Sequence, residues 1–181
     1  MKPSARAVRT LALAAFALAA ACAAPRAASG PKPAWVDQGT GAFKDADGDV
    51  YQGVGVVADV RDRFFAPKRS VDRGQDGIEK IVVAHYCSLL DDFEDSIAVG
   101  RSDFTCPPPT PQFGALLKAL RDAFVFVGAW NDPADRSTLA CYRIKRSAAD
   151  GLLLRSIDDP KLREFIRARS PAAFEKESAR R

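Results

Sequence analysis

Apolar positions along the chain fall into runs of different period. The clearest is in "SVDRGQDGIEKIVVAHYCSLLDDFEDS", where Ile78, Val82, Tyr86, Leu89 and Phe93 recur at helical spacing and form one stripe. The spacing predicts a long amphipathic helix. Gly74 and Gly77 weaken its start, which places the beginning near Asp76. Upstream, "VYQGVGVVADV" is β-branched and reads as a strand. Its Gly53 and Gly55 predict a bulge or a close backbone approach. "QFGALLKALRDAF" carries Phe113, Leu116, Leu117 and Leu120 and predicts a second helix. In "VFVGAWNDPADRSTLACYRIK" two apolar runs flank Asn131-Asp132-Pro133, the pattern of a β-hairpin with a loop of about five residues. The stretch 147–181 is helical in character, with a small apolar patch at Leu162, Phe165 and Ile166. The order strand, helix, helix, strand, strand, helix predicts an α+β two-layer fold, an antiparallel sheet with helices packed on one face.

The first 33 residues do not fit that layer. "MKPSARAVRT" is basic, and "LALAAFALAAACAAP" is apolar and ends in small residues, the layout of a secretory signal peptide over 1–21. The uncharged part, 10–24, is shorter than the about 20 residues a membrane-spanning helix needs. "LAAAC" resembles a bacterial lipobox, which makes Cys22 the lipidation residue. Ordinary cleavage at Ala19-Ala20-Ala21 is the alternative. Two or more acyl chains would hold the protein to a bilayer, at about 0.8 kcal/mol per buried CH₂. Residues 22–33, rich in Ala, Pro and Gly, read as a flexible tether. Trp35 and Val36 then anchor the start of the domain, expected over 34–146, with 147–181 as a C-terminal helical extension.

Charge changes little once that segment is set aside. The formal net charge is +4, and without Lys2, Arg6 and Arg9 it falls to +1. A nearly neutral chain lacks the basic footprint of a nucleic-acid binder, so no nucleic-acid partner is expected.

Candidate chemistry is sparse. "GVGVVA" matches G-x-G-x-x-G/A, but valines run through it and no helical stripe follows, so it reads as strand rather than dinucleotide site. Asp45, Asp47 and Asp49 alternate in an acidic turn. A calcium loop would need Gly and Glu where Val50 and Val56 stand. His85, the single histidine, neighbours Cys87. Residues two apart on a helix point away from each other and form no nucleophile–base dyad. His85 is read as a partly buried helix residue satisfied by local partners. Asp91, Asp92, Glu94 and Asp95 end the long helix where its dipole disfavours negative charge, so a cation or a basic partner patch is weighed against plain solvation. No catalytic residue, cofactor or metal ligand is expected from these patterns.

Cys87, Cys106 and Cys141 remain after Cys22. An oxidising envelope favours one disulfide among three pairings, and Cys87 with Cys106 is preferred because the Pro-rich loop must return from the helix end. Cys141 would then be free.

"PAWV…GTGAF", "VYQGVGVV", the long helix, "FVFVGAWNDPAD…TLACYRIK" and "LREFIRARSPAAFEK" together resemble the LPP20-like bacterial lipoproteins. The resemblance covers most of 33–176 and rests on the order of motifs, with Gln52 interrupting the Y-G-V-G pattern and fewer alanines in the helix. It implies a Gram-negative envelope location. Ala23 after the cysteine points to the outer membrane. The function expected is that of a non-enzymatic outer-membrane lipoprotein. It would have a periplasmic or surface α+β domain, the membrane as partner through its lipid, and an envelope protein as a further partner. The alternative is a soluble periplasmic enzyme or ligand-binding domain whose site combines distant residues.

Overall fold

The computed structural model describes residues 30–46, 48–58, 64–97, 106, 107 and 110–179. In chain order these form α1 (Ala34–Gln38), β1 (Gly41–Asp45), β2 (Gly48–Val57), α2 (Ala66–Ser96), α3 (Pro111–Ala123), β3 (Val125–Asn131), β4 (Thr138–Lys145), α4 (Arg146–Ser156) and α5 (Pro160–Ser178). One four-stranded antiparallel sheet runs β1-β2-β4-β3. The α+β class read from the sequence holds. The short β1 was not foreseen: its five residues carry no alternating signal and become a strand by pairing with β2, Ala42 opposite Tyr51.

Alternation along β2 splits its residues between two faces. Tyr51, Gly53 and Gly55 lie under the helices, while Gln52 and Val54 face the other way. The close approach expected at the glycines is real. A Cβ at Gly53 would overlap the Gly74 carbonyl, and one at Gly55 would overlap the Ser70 carbonyl. Helix and sheet backbones therefore meet where the strand carries no side chain, and at Gly74 the helix carries none either.

That contact also corrects the start of the long helix. It begins at Ala66, with Pro67 in its first turn, and runs straight through Gly74 and Gly77. Glycine costs a helix about 1 kcal/mol relative to alanine. Here Gly74 packs against Gly53, Gly55 and the Ala140 carbonyl, so tertiary contact outweighs propensity.

The shorter helices follow their caps. Thr110 accepts a hydrogen bond from the Phe113 amide at 3.2 Å and opens α3, and Asp159 accepts from the Lys161 amide at 2.8 Å and opens α5. Proline stands just inside each start. The main core draws on every layer: Ile78 and Leu89 from α2, Leu116 from α3, Ile144 from β4, Leu153 from α4 and Phe174 from α5. The described part of that stretch, 147–179, does not stand apart as an extension, because Ala149, Leu153, Ile166 and Phe174 share this core. A second cluster of Trp35, Trp130, Leu139 and Cys141 covers the opposite face.

Candidate functional site

A chain of polar side chains crosses the helix layer. On α2 the inward positions are Ile78, Val82, His85 and Leu89, so the histidine lies within the buried stripe, 8% exposed. Its Nε2 lies 3.2 Å from Ser170 Oγ on α5. Ser170 Oγ donates to Asp150 Oδ1 at 2.8 Å. Asp150 Oδ2 accepts from Arg146 Nη1 at 2.8 Å, and Arg146 Nε donates to Asp49 Oδ2 at 2.9 Å. The chain thus joins α2, α5, α4 and β2. Its direction follows from the carboxylate, which only accepts. The serine proton goes to Asp150, so Ser170 Oγ receives the proton on His85 Nε2. The expectation of local partners for His85 is corrected here: its partner lies 85 residues away.

Tyr51 projects from β2 beneath this chain. Its ring centroid lies 5.7 Å from that of His85 and 5.2 Å from that of Phe174. The side chain is fully buried and Oη has no hydrogen-bond partner. Burial, then the Asp150 carboxylate, pushes the phenol well above its ordinary value. Burial likewise pulls His85 below the usual histidine value, Arg146 adds to that, and Asp150 and Glu177 oppose it.

The chemistry open to this chain is limited by access. Ser170 is 1% exposed, and its proton is directed to a carboxylate rather than to the imidazole. Nucleophilic catalysis needs the reverse order, with the base accepting from the hydroxyl. The arrangement holds α5 against α2 and fixes the imidazole tautomer.

Outside this chain, α2 and α5 flank an open groove of about 490 Å³. The helices run antiparallel, Phe93 meeting Phe165 edge-on at 5.3 Å near one end. Ala84 and Ala173 line the groove, and Lys80, Arg169 and Lys176 join Asp92 and Glu177 in a mixed lining of both charges. His85 borders both this groove and the interior.

The chain matches no family model and no curated protein.

The remaining sequence candidates resolve as follows. "GVGVVA" lies in and just after β2, and its glycines serve the contact with α2. Asp45 pairs with Arg143 and Asp49 with Arg146, while Asp47 lies outside the described residues. Among the described residues no group of three or more His, Cys, Asp or Glu is placed to hold a metal ion. Asp91, Asp92 and Asp95 are exposed near the end of α2, and Asp92 reaches the groove. Cys87 and Cys106 form a disulfide, their Cα atoms 5.7 Å apart. Cys141 is buried and unpaired, and burial pushes its thiol up to about 12. Cys22 and the whole of 1–29 lie outside the described residues. Among the described residues, no helix is long and apolar enough to cross a membrane.

Several organising residues were missed. Gln52, the departure within Y-G-V-G, is fully buried on the far face. Its Nε2 donates to the Gly39 carbonyl at 2.7 Å, and its Oε1 accepts from Arg143 Nε at 2.8 Å. Trp130 Nε1 donates to the Gly30 carbonyl at 3.1 Å. Together these contacts pin 30–39 to the sheet. The i,i+4 spacing of Arg146 and Asp150 was the one legible signal of the polar chain.

Proposed function

We propose that this protein is an exported envelope lipoprotein, held by acyl chains on Cys22 and acting through non-covalent contacts of its α+β domain at the outer membrane. The observation that carries the reading is the disposition of the cysteines. Cys87 and Cys106 are bonded, as suits an oxidising compartment, and Cys141 is sealed in the far-face cluster. Of the four cysteines, Cys22 is left for modification. The burial of Ser170, whose proton goes to Asp150, supports a binding role over acyl chemistry. The order of motifs shared with the LPP20-like lipoproteins agrees with this reading.

Radiolabelled palmitate fed to the native host tests it. Incorporation into the wild type and its loss in Cys22→Ser are expected. An unlabelled protein recovered from the cytosol with Cys87 reduced would sink the proposal.

One observation favours a second reading, a soluble ligand-binding domain. The groove between α2 and α5 falls in the range of small-molecule sites, about 300–1,000 Å³. The lone histidine provides a reporter. A small-molecule library screened by the imidazole proton resonance would move that signal if the groove binds, and leave it unmoved by every compound if it does not.

A further inference from the structure

Among the described residues, Tyr51 carries the one aromatic hydroxyl that is buried without a hydrogen-bond partner. A buried hydroxyl without a partner is costly, and native interiors seldom leave one. Tyr51 lines a cavity of about 10 Å³. That is the lower end of what one water needs, about 10–15 Å³. Val82, Leu116 and Leu120 wall the space and leave no room for a larger ligand. Three other residues with polar groups line it, His85, Tyr86 and Asp150.

We infer that this cavity is a binding site for a single water molecule that bridges Tyr51 Oη to Asp150 and the His85 ring. Donors and acceptors balance. The phenol donates to the water oxygen. Asp150 already accepts from Ser170 on Oδ1 and from Arg146 on Oδ2, and a carboxylate has about four acceptor sites, so capacity remains. His85 gives its Nε2 proton to Ser170, which makes Nδ1 the ring's acceptor. The water's two protons go to Asp150 and Nδ1. Its three bonds are the usual number for a buried water. The water extends the polar chain to β2 at a second point and removes the orphan hydroxyl.

A crystal structure of the domain-bearing protein at about 1.5 Å resolution would show a peak at hydrogen-bond distance from Tyr51 Oη, about 2.6–3.2 Å. Oxygen-17 relaxation dispersion in solution would count one fewer long-lived internal water in Tyr51→Phe than in the wild type. An empty cavity with ordered walls, Oη bonded directly to Asp150, or equal water counts in the two proteins would each overturn the inference. The wild-type crystal decides the matter even if the variant fails to fold.

Discussion

His85 Nε2 and Ser170 Oγ stand 3.2 Å apart across 85 residues of sequence, and through them α5 is fastened to α2. Ser170→Ala removes this bond and the bond to Asp150, leaving a buried imidazole N–H without a partner. The expected loss is about 1–3 kcal/mol, read as a lower urea midpoint with an unchanged slope. Ser88→Ala, on an exposed face of α2, should stay within about 0.5 kcal/mol. Equal effects of the two substitutions would refute a bonding role for Ser170.

Stability should fall with acidification through His85. Burial holds its folded-state value below the ordinary 6.5. As pH drops through 6.5, the unfolded chain takes up a proton that the native ring resists. This contribution is therefore whole above 6.5 and is lost as pH falls through the folded value. Arg146 widens the window, and Asp150 and Glu177 narrow it. The chain has one histidine, so its imidazole resonance reports the titration directly. A midpoint at or above 6.5 in the folded protein would contradict the burial argument.

The glycines should split sharply. Gly55→Ala drives a Cβ into the Ser70 carbonyl and the backbone of Gly74, neither of which yields without moving α2. A loss above about 3 kcal/mol, or failure to fold, is expected. Gly114, inside α3, has open space around its Cβ direction. Gly114→Ala should raise stability by about 0.5–1 kcal/mol. Thermal melts of the two variants suffice as the measurement.

Thiol counting tests the cysteine assignments. In a Cys22→Ser background, Ellman's reagent should find no reactive thiol in the native protein. It should find one after unfolding, and three after unfolding with reduction. Replacing Cys87 and Cys106 by serine should cost about 3 kcal/mol, from the chain entropy of a loop closed across 19 residues. A thiol that reacts quickly in the native state would mean that Cys141 is not sealed.

Much of the secondary structure was legible because its causes are local. The stripe through Ile78, Val82 and Leu89, the hairpin around Asp132 and the β-branched run of β2 each announce themselves within one element. The end of α2 was readable in the same way, but its start was not. Propensity sees Gly74 as a weakness, whereas the sheet uses it as the point of closest approach. Gln52 shows the same limit. It broke a familiar pattern in sequence, yet its amide holds Gly39 and Arg143.

From residue order alone came the α+β class, the two central helices and the hairpin, and the suggestion that Gly53 and Gly55 mark a close approach. These depend on periodicity and on backbone sterics, which act over a few residues. The pairing of β1, the joining of 147–179 to the core and the chain from His85 through Ser170 and Asp150 to Asp49 were decided by the tertiary structure. A hydrogen bond between side chains 85 residues apart leaves no trace in local spacing. It exists only once packing has removed water and brought donor and acceptor together.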